Sequence, residues 1–123
     1  MNKIAAPTGV LFLAMSFWPL PAGAQNLAEG RKLYTAYCVS CHGESGKGDG
    51  VAAGSLPVKP KDHTSGATMN PMTDKSLADV ISQGGSATGK SGFMPAWGAS
   101  LNEKQIGDIV AYIRSLAVPP YKQ

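Results

Sequence analysis

The sequence predicts a small all-α domain of three to four helices joined by long loops. The strongest observation is the segment 101–116, in which apolar residues recur at the spacing of one helix face. The second is that no alternating pattern long enough for a strand can be found. The third is the glycine-rich stretch 43–54, which together with Pro57 and Pro60 predicts a long irregular connection after the first helix.

Two of the helices are predicted from their caps and their apolar positions. The first, NLAEGRKLYTAYC, begins at the N-cap Asn26, and its expected apolar face contains Leu27, Leu33, Tyr34 and Tyr37. A short helix, TDKSLADVISQ, is capped by Thr73 and ends at Gly84. The segment 84–98 is glycine-rich and is expected to form a second loop.

The last helix has the clearest signal in the chain. Asn102 is expected to cap it and to form a capping box with Gln105, while Leu101 and Ile106 are placed to form a hydrophobic staple. Pro119 comes shortly after the last apolar residue and stops the helix. The expected buried face consists of Ile106, Ile109, Val110, Ile113 and Leu116.

The first 24 residues have the layout of a secretory signal. A basic residue precedes the apolar run 10–20, and Ala22 and Ala24 form an A-x-A cleavage site. Residues 1–24 are therefore expected to be removed, so that residues 25–123 form one domain in the periplasm. The alternative is a retained membrane anchor, but the apolar run is too short to span a bilayer comfortably.

The composition argues against nucleic-acid binding and against a domain stabilised by disulfides. The net charge is only +3 and the basic residues are scattered, so the sequence does not predict binding to nucleic acid. Both cysteines lie in one short motif, and no long-range disulfide can stabilise the domain. A domain of this size then needs another source of stability, which a bound prosthetic group would supply.

The string GGSATGKS, residues 84–91, matches the phosphate-loop pattern GxxxxGK[ST]. That motif binds phosphate when it follows a buried strand and opens a helix. Here it follows a predicted helix and precedes GFMPAWG, in which Gly92, Pro95 and Gly98 prevent a helix. The string is therefore interpreted as a surface loop, and no nucleotide is expected to bind.

The string CVSCH favours a different chemistry. Cys38 and Cys41 are three residues apart, so on a helical turn both thiols project to the same side and can form two thioether bonds to a haem. His42 follows directly and can donate an imidazole nitrogen to the iron. A zinc site lacks enough ligands, a thioredoxin-like pair lacks a βαβ pattern, and a plain disulfide leaves His42 unexplained. One covalent haem c is therefore predicted.

The second axial ligand of the iron has four candidates. Met69, Met72 and Met94 offer soft thioethers, and His63 offers a nitrogen. Met94 is favoured because it lies in a loop before the last helix and Pro95 restricts the backbone directly after it. Filler packing is the alternative role for Met94, and His63 is expected to be an exposed loop residue.

Taken together, the strings YCVSCHG, GKGDG, FMPAWG and IGDIVAYIRSL resemble a class I cytochrome c of the bacterial monohaem type. The resemblance covers nearly all of residues 27–116. It implies the small cytochrome c fold, with three to four helices wrapped around one covalent haem. It also implies that Cys38 and Cys41 hold the haem, that His42 is the proximal ligand and that Met94 is the distal ligand.

The resemblance implies further roles around this site. The carbonyl of Pro60, with Pro57 as the alternative, would accept a hydrogen bond from the proximal imidazole. Trp97 would pack at the haem edge, or else be an ordinary buried loop residue. His63 departs from the family, which usually has an apolar residue after the PKD segment, and it either lines the haem pocket or lies exposed. The first and last helices would cross at Gly30, Tyr34 and Tyr112.

The function that follows is that of a periplasmic one-electron carrier, and not of an enzyme. Haem iron ligated by His42 and Met94 has no open position for a substrate, and no catalytic carboxylate pair or nucleophile triad is found. Its partners are expected to be redox proteins, with no nucleic acid or nucleotide. The alternatives are a haem subunit that feeds a specific dehydrogenase or reductase, and a ligand-binding haem protein whose methionine dissociates.

Overall fold

In residues 24–122, which the computed structural model describes, the chain forms five α-helices and a single turn of 3-10 helix at Ala53–Ser55. The α-helices are α1 Leu27–Tyr37, α2 Val39–His42, α3 Gly66–Met69, α4 Asp74–Ala87 and α5 Glu103–Leu116. The all-α class is confirmed, since the extended pairing in this part of the chain is one isolated bridge between Ser65 and Val118. Apart from Ala24, the predicted signal sequence lies outside the described residues.

The predicted caps of the first and last helices are present. The Asn26 side chain accepts the Glu29 amide at 3.1 Å at the start of α1. At the start of α5, the Asn102 side chain accepts the Gln105 amide at 2.9 Å, and the Gln105 side chain accepts the Asn102 amide at 3.0 Å. These bonds satisfy amides that have no partner inside the helix, which defines both helix starts.

Helix α4 also begins as predicted, with the Ser76 amide donating to the Thr73 hydroxyl at 3.1 Å. Its regular part ends at Gly84, where φ is 81° and ψ is 169°. A residue with a Cβ rarely adopts this conformation, so glycine is needed at this position. Residues 85–87 form a further helical turn beyond the break, which the sequence analysis had assigned to the loop.

Helix α3 was not predicted, because the segment between the first predicted helix and Thr73 was expected to be a long loop. The Ser65 side chain caps this short helix by accepting the Thr68 amide at 3.3 Å. Four residues are too few to show an apolar periodicity in a sequence. The structure therefore adds one turn that pattern analysis could not detect.

Helices α1 and α5 cross at Gly30, as the family resemblance implied. A Cβ on Gly30 would lie 2.6 Å from the carbonyl carbon of Asp108 and 3.1 Å from the Tyr112 Cβ. The rings of Tyr34 and Tyr112 meet edge to face beside this contact, with centroids 5.2 Å apart. The Asn26 amide also donates to the Asp108 carboxylate at 2.7 Å, which ties the start of α1 to α5.

The core is built around the apolar face of α5. Leu101 and the predicted face are buried, except that Leu116 is half-buried. Leu27 was expected on the buried face of α1 but is 52% exposed, because it lies at the first residue of that helix, before the crossing at Gly30. None of the helices in the described part of the chain has the length and hydropathy that a bilayer-spanning helix requires.

Candidate haem site

The cysteine–histidine motif forms a short helical turn directly after α1. Cys38 is the C-cap of α1 and also the N-cap of α2. The His42 amide donates to the Cys38 carbonyl at 2.9 Å. Cys41 and His42 therefore lie on one turn of helix together with the cap residue Cys38. The turn ends at Gly43, where φ is 81°.

Both cysteines are free thiols, and the environment of Cys38 disfavours redox exchange. Burial, with a smaller contribution from the nearby Cys41, raises the pKa of the Cys38 thiol to about 12. Reactive redox cysteines have a lowered pKa, because the thiolate is the nucleophile. This property argues against the thioredoxin-like alternative for the motif.

The imidazole of His42 has one nitrogen engaged by the protein. Its Nδ1 lies 3.1 Å from the carbonyl oxygen of Lys61. A carbonyl only accepts hydrogen bonds, so Nδ1 carries the proton and donates it, while Nε2 keeps a free lone pair. Burial lowers the pKa of His42, opposed by the hydrogen bond to Lys61, and the neutral ring is the form that binds metal.

The predicted acceptor for this bond was Pro60, with Pro57 as the alternative, and both are wrong. The acceptor is one residue further along, at Lys61. The Pro60 carbonyl is turned towards the Gly48 backbone, where a Cβ on Gly48 would lie 3.2 Å from the Pro60 carbonyl carbon. The register of this irregular loop could not be read from sequence.

His63 was expected either to lie exposed or to line the haem pocket, and the first alternative is wrong, because only 7% of the residue is accessible. Its ring stacks on His42 with centroids 4.2 Å apart and planes 17° apart, and its Nδ1 is hydrogen-bonded to the Tyr34 hydroxyl at 3.0 Å. Burial, reinforced by His42 and opposed by Asp62, lowers the pKa of His63 to about 3. The sequence signal for this residue was its departure from the apolar residue usual in the family.

The phosphate-loop string forms the base of the loop that contains Met94. The Gly85 amide donates to the Met94 carbonyl at 2.9 Å, and a Cβ on Gly85 would lie 3.3 Å from the Met94 Cβ and 2.8 Å from the Ser91 carbonyl carbon. The Lys90 amide donates to the Gly85 carbonyl at 2.8 Å. These backbone groups bind each other, and the Lys90 side chain is exposed. The surface-loop interpretation therefore holds for residues 88–91 only, because Gly84 and Gly85 are buried at the end of α4.

Trp97 joins the Met94 loop to the end of α1. Its amide donates to the Ile81 carbonyl at 2.8 Å, and its ring meets Tyr37 edge to face with centroids 5.2 Å apart. Tyr37 directly precedes Cys38 in the chain. This contact brings the loop of Met94 to the end of α1 where the cysteine–histidine turn begins, and Met94 itself is half-buried against the core.

The other two methionines are held on a separate segment by Arg114. Its guanidinium donates to the carbonyl of Met69 at 2.9 Å, to the carbonyl of Met72, and to the Asp74 carboxylate at 2.7 Å. The Met69 side chain is fully buried within the core, and Met72 packs against the outside of the core. These bonds fix the backbone of both methionines, and the burial of Met69 gives its side chain a packing role in the core.

This donor set fits a covalent haem. The thiols of Cys38 and Cys41 lie on one helical turn, and the neutral His42 imidazole keeps Nε2 free while its Nδ1 is bound. The thioether of Met94 lies on a loop that Trp97 joins to the same end of α1. A hydrogen-bonded Nδ1 is the usual support for a histidine that binds metal, because it sets the tautomer and restricts the ring orientation.

The chain is similar to part of some longer proteins and to most of a small cytochrome. Residues 25–113 match the family model described as cytochrome C oxidase, cbb3-type, subunit III. The Cbb3-type cytochrome c oxidase subunit FixP of Bradyrhizobium diazoefficiens is 33% identical over 74% of this chain, and the match covers 28% of FixP. Cytochrome c-555 of Prosthecochloris aestuarii is 36% identical over 72% of this chain and 85% of its own length.

A solved structure supports the fold. In the reducing HAO-like protein complex Kustc0457/Kustc0458 of Kuenenia stuttgartiensis, one chain superposes with a TM-score of 0.61 and 29% identity, over 77% of this chain and 46% of that one. This chain therefore spans less than a third of the FixP oxidase subunit and less than half of the chain in that complex, but most of the small cytochrome c-555.

Proposed function

Because the chain belongs to the cytochrome c family, in the group that the cbb3-type subunit III model describes, we propose that it carries single electrons by means of one covalent haem c. When bound, the haem supplies a one-electron iron couple, and a neutral thioether ligand raises its potential. The observation that carries the proposal is the His42 imidazole, which follows the two cysteines on one turn and has Nδ1 tied to Lys61.

The side chains have distinct roles in this proposal. Cys38 and Cys41 form the thioether bonds, which fix the haem even when the fold loosens. His42 would donate Nε2 to the iron, and its Nδ1–H bond to the Lys61 carbonyl would keep Nε2 free for this role. Met94 would donate its sulfur from its loop, which the hydrogen bond between the Gly85 amide and the Met94 carbonyl holds in place.

The protein is proposed to be a carrier and not an enzyme. If His42 and Met94 both bound the iron, no position would remain for a substrate, and the remaining task of the fold would be to exclude water. Trp97, packed on Tyr37 between the Met94 loop and α1, is proposed to shield the haem edge. Pro60, whose carbonyl faces Gly48, retains at most a packing role beside the haem.

A second candidate is favoured by the match to oxidase subunit III. A haem domain of this kind would pass electrons to one specific enzyme partner instead of diffusing between several. Residues 1–24 are proposed to be a cleaved signal and residues 25–123 the cytochrome domain in the periplasm. The start of the family match at residue 25 supports this division.

The distal ligand provides the test of the carrier function. Wild-type ferric protein should show the weak methionine-to-iron charge-transfer band at the red end of the spectrum, and the reduced protein should bind carbon monoxide poorly. Met94→Ala should abolish the band and admit carbon monoxide. Met72→Ala is the matched control, because Met72 is also half-buried against the core, and it should change neither property.

The outcomes separate the parts of the proposal. If Met72→Ala removes the band and Met94→Ala keeps it, the assignment of the distal ligand is wrong. If wild-type reduced protein binds carbon monoxide readily, the closed carrier is refuted and a ligand-binding haem takes its place. Extraction with acid–acetone should leave the pigment on the protein, and its release would refute covalent attachment through Cys38 and Cys41.

A further inference from the structure

A pair of buried side chains beside His42 has no part in the proposed function. The ring of His63 lies face to face with that of His42, with centroids 4.2 Å apart and planes 17° apart. At its edge the His63 ring is hydrogen-bonded through Nδ1 to the hydroxyl of Tyr34 at 3.0 Å. Tyr34 is 1% exposed, so the pair lies inside the protein.

Both the backbone and the side chain of His63 are held in place by hydrogen bonds. Its backbone amide donates to the Gly46 carbonyl at 2.7 Å. Tyr34, which is hydrogen-bonded to Nδ1 of this ring, is itself fixed by the edge-to-face contact with Tyr112 at the α1–α5 crossing. The His63 ring therefore forms a rigid surface, which Tyr34 anchors to the crossing of α1 and α5.

His42 needs such a surface because its own hydrogen bond restrains only one atom. The bond from Nδ1 to the Lys61 carbonyl fixes the distance between those atoms. The imidazole plane can still rock about the line that joins them. A parallel ring packed on one face opposes this rocking, because any tilt brings ring atoms into contact.

We propose that His63, anchored by Tyr34, is a positioning residue that sets the orientation of the His42 imidazole plane. This inference rests on the proposed function, in which His42 is the proximal ligand. The orientation of an axial imidazole decides how unpaired spin in ferric haem is distributed over the four methyl groups of the ring. His63 therefore acts on the electronic structure of the site without contacting the iron.

The test uses proton NMR of the ferric holoprotein, in which the haem methyl resonances report the plane of the axial imidazole. His63→Phe keeps a flat ring on His42 but loses the hydrogen bond to Tyr34, so it should change the four methyl shifts no more than Tyr34→Phe does. His63→Leu removes the parallel face and should change both. Tyr34→Phe removes only the anchoring hydroxyl and should move the shifts in the same direction as His63→Leu, by a smaller amount.

A merely structural role predicts a different pattern. In that case the two His63 variants would differ in melting temperature but share the wild-type methyl shifts, and this result would overturn the inference. Equal changes in His63→Phe and His63→Leu would overturn it as well, because the parallel ring would then have no specific effect. If His63→Leu does not accumulate as holoprotein, Tyr34→Phe decides alone, and unchanged shifts in that variant refute the role.

Different measurements test the role of His63 and the proposed ligands of the iron. The wild-type ferric spectrum by itself tests the ligands, since an iron-bound methionine gives its own strongly shifted methyl resonance. A wild-type spectrum without that resonance contradicts the His42–Met94 ligand pair. The comparison between variants tests His63, and it can fail while the wild-type spectrum is that of the expected carrier.

Discussion

The contact between α1 and α5 at Gly30 leads to a quantitative prediction about stability. In Gly30→Ala the new methyl group would lie 2.6 Å from the carbonyl carbon of Asp108 and 3.1 Å from the Tyr112 Cβ. Comfortable separations between carbon atoms are about 3.5–4.0 Å, so the two helices must move apart by roughly 1 Å. The atoms that must yield on the Asp108 side belong to the backbone of a helix, which cannot rotate away.

The expected cost lies at the upper end of the range for overpacked cores, about 3 kcal/mol. Alanine is favoured over glycine inside a helix by about 1 kcal/mol, which offsets part of this cost. The net destabilisation is then about 2 kcal/mol. For a domain of this size, that corresponds to a melting temperature lower by about 8–16 °C.

Gly107 provides the matched control on the other helix. It lies inside α5, and a Cβ there would have no heavy atom within 4 Å. Gly107→Ala should therefore gain only the helix preference of alanine and stabilise the protein by about 0.5–1 kcal/mol. Thermal unfolding of both oxidised holoproteins, followed by far-ultraviolet circular dichroism, measures the two effects. If both variants shift the melting temperature in the same direction, the close crossing at Gly30 is refuted.

Two further predictions concern charged side chains. Burial would raise the pKa of Asp108, but hydrogen bonds from the Asn26 amide and from Lys104 outweigh it and lower the pKa. The carboxylate therefore stabilises the fold above its unfolded pKa of about 3.9, and this contribution is lost as pH falls through the lower folded pKa. Asp108→Asn should cost about 1–2 kcal/mol in urea unfolding at pH 7, and this cost should shrink as the pH falls below about 3.9, whereas a cost that does not depend on pH would contradict the pairing. Lys90→Ala should leave the redox spectrum and the melting temperature unchanged, whereas ATP binding that is lost with Lys90 would revive the phosphate-loop hypothesis.

The sequence by itself determined the parts of this protein that depend on near neighbours in the chain. The capping box from Asn102 to Gln105, the helix end at Gly84 and the turn from Cys38 to His42 each involve residues within a few positions of one another. Local hydrogen bonds and φ preferences are strong enough to specify such features without the rest of the fold. The same reason explains why the four-residue helix α3 was missed, since it is too short to leave a pattern.

The tertiary structure alone decided what surrounds His42. The partner of its Nδ1 is Lys61 and not Pro60, and the ring packed on it is His63, 21 positions away along the chain. The connection that contains both residues has no periodicity from which a buried face could be inferred. Its register is set by contacts with distant elements, such as the Tyr34 hydroxyl on α1, and the burial of a loop side chain follows from those contacts because no local preference specifies it.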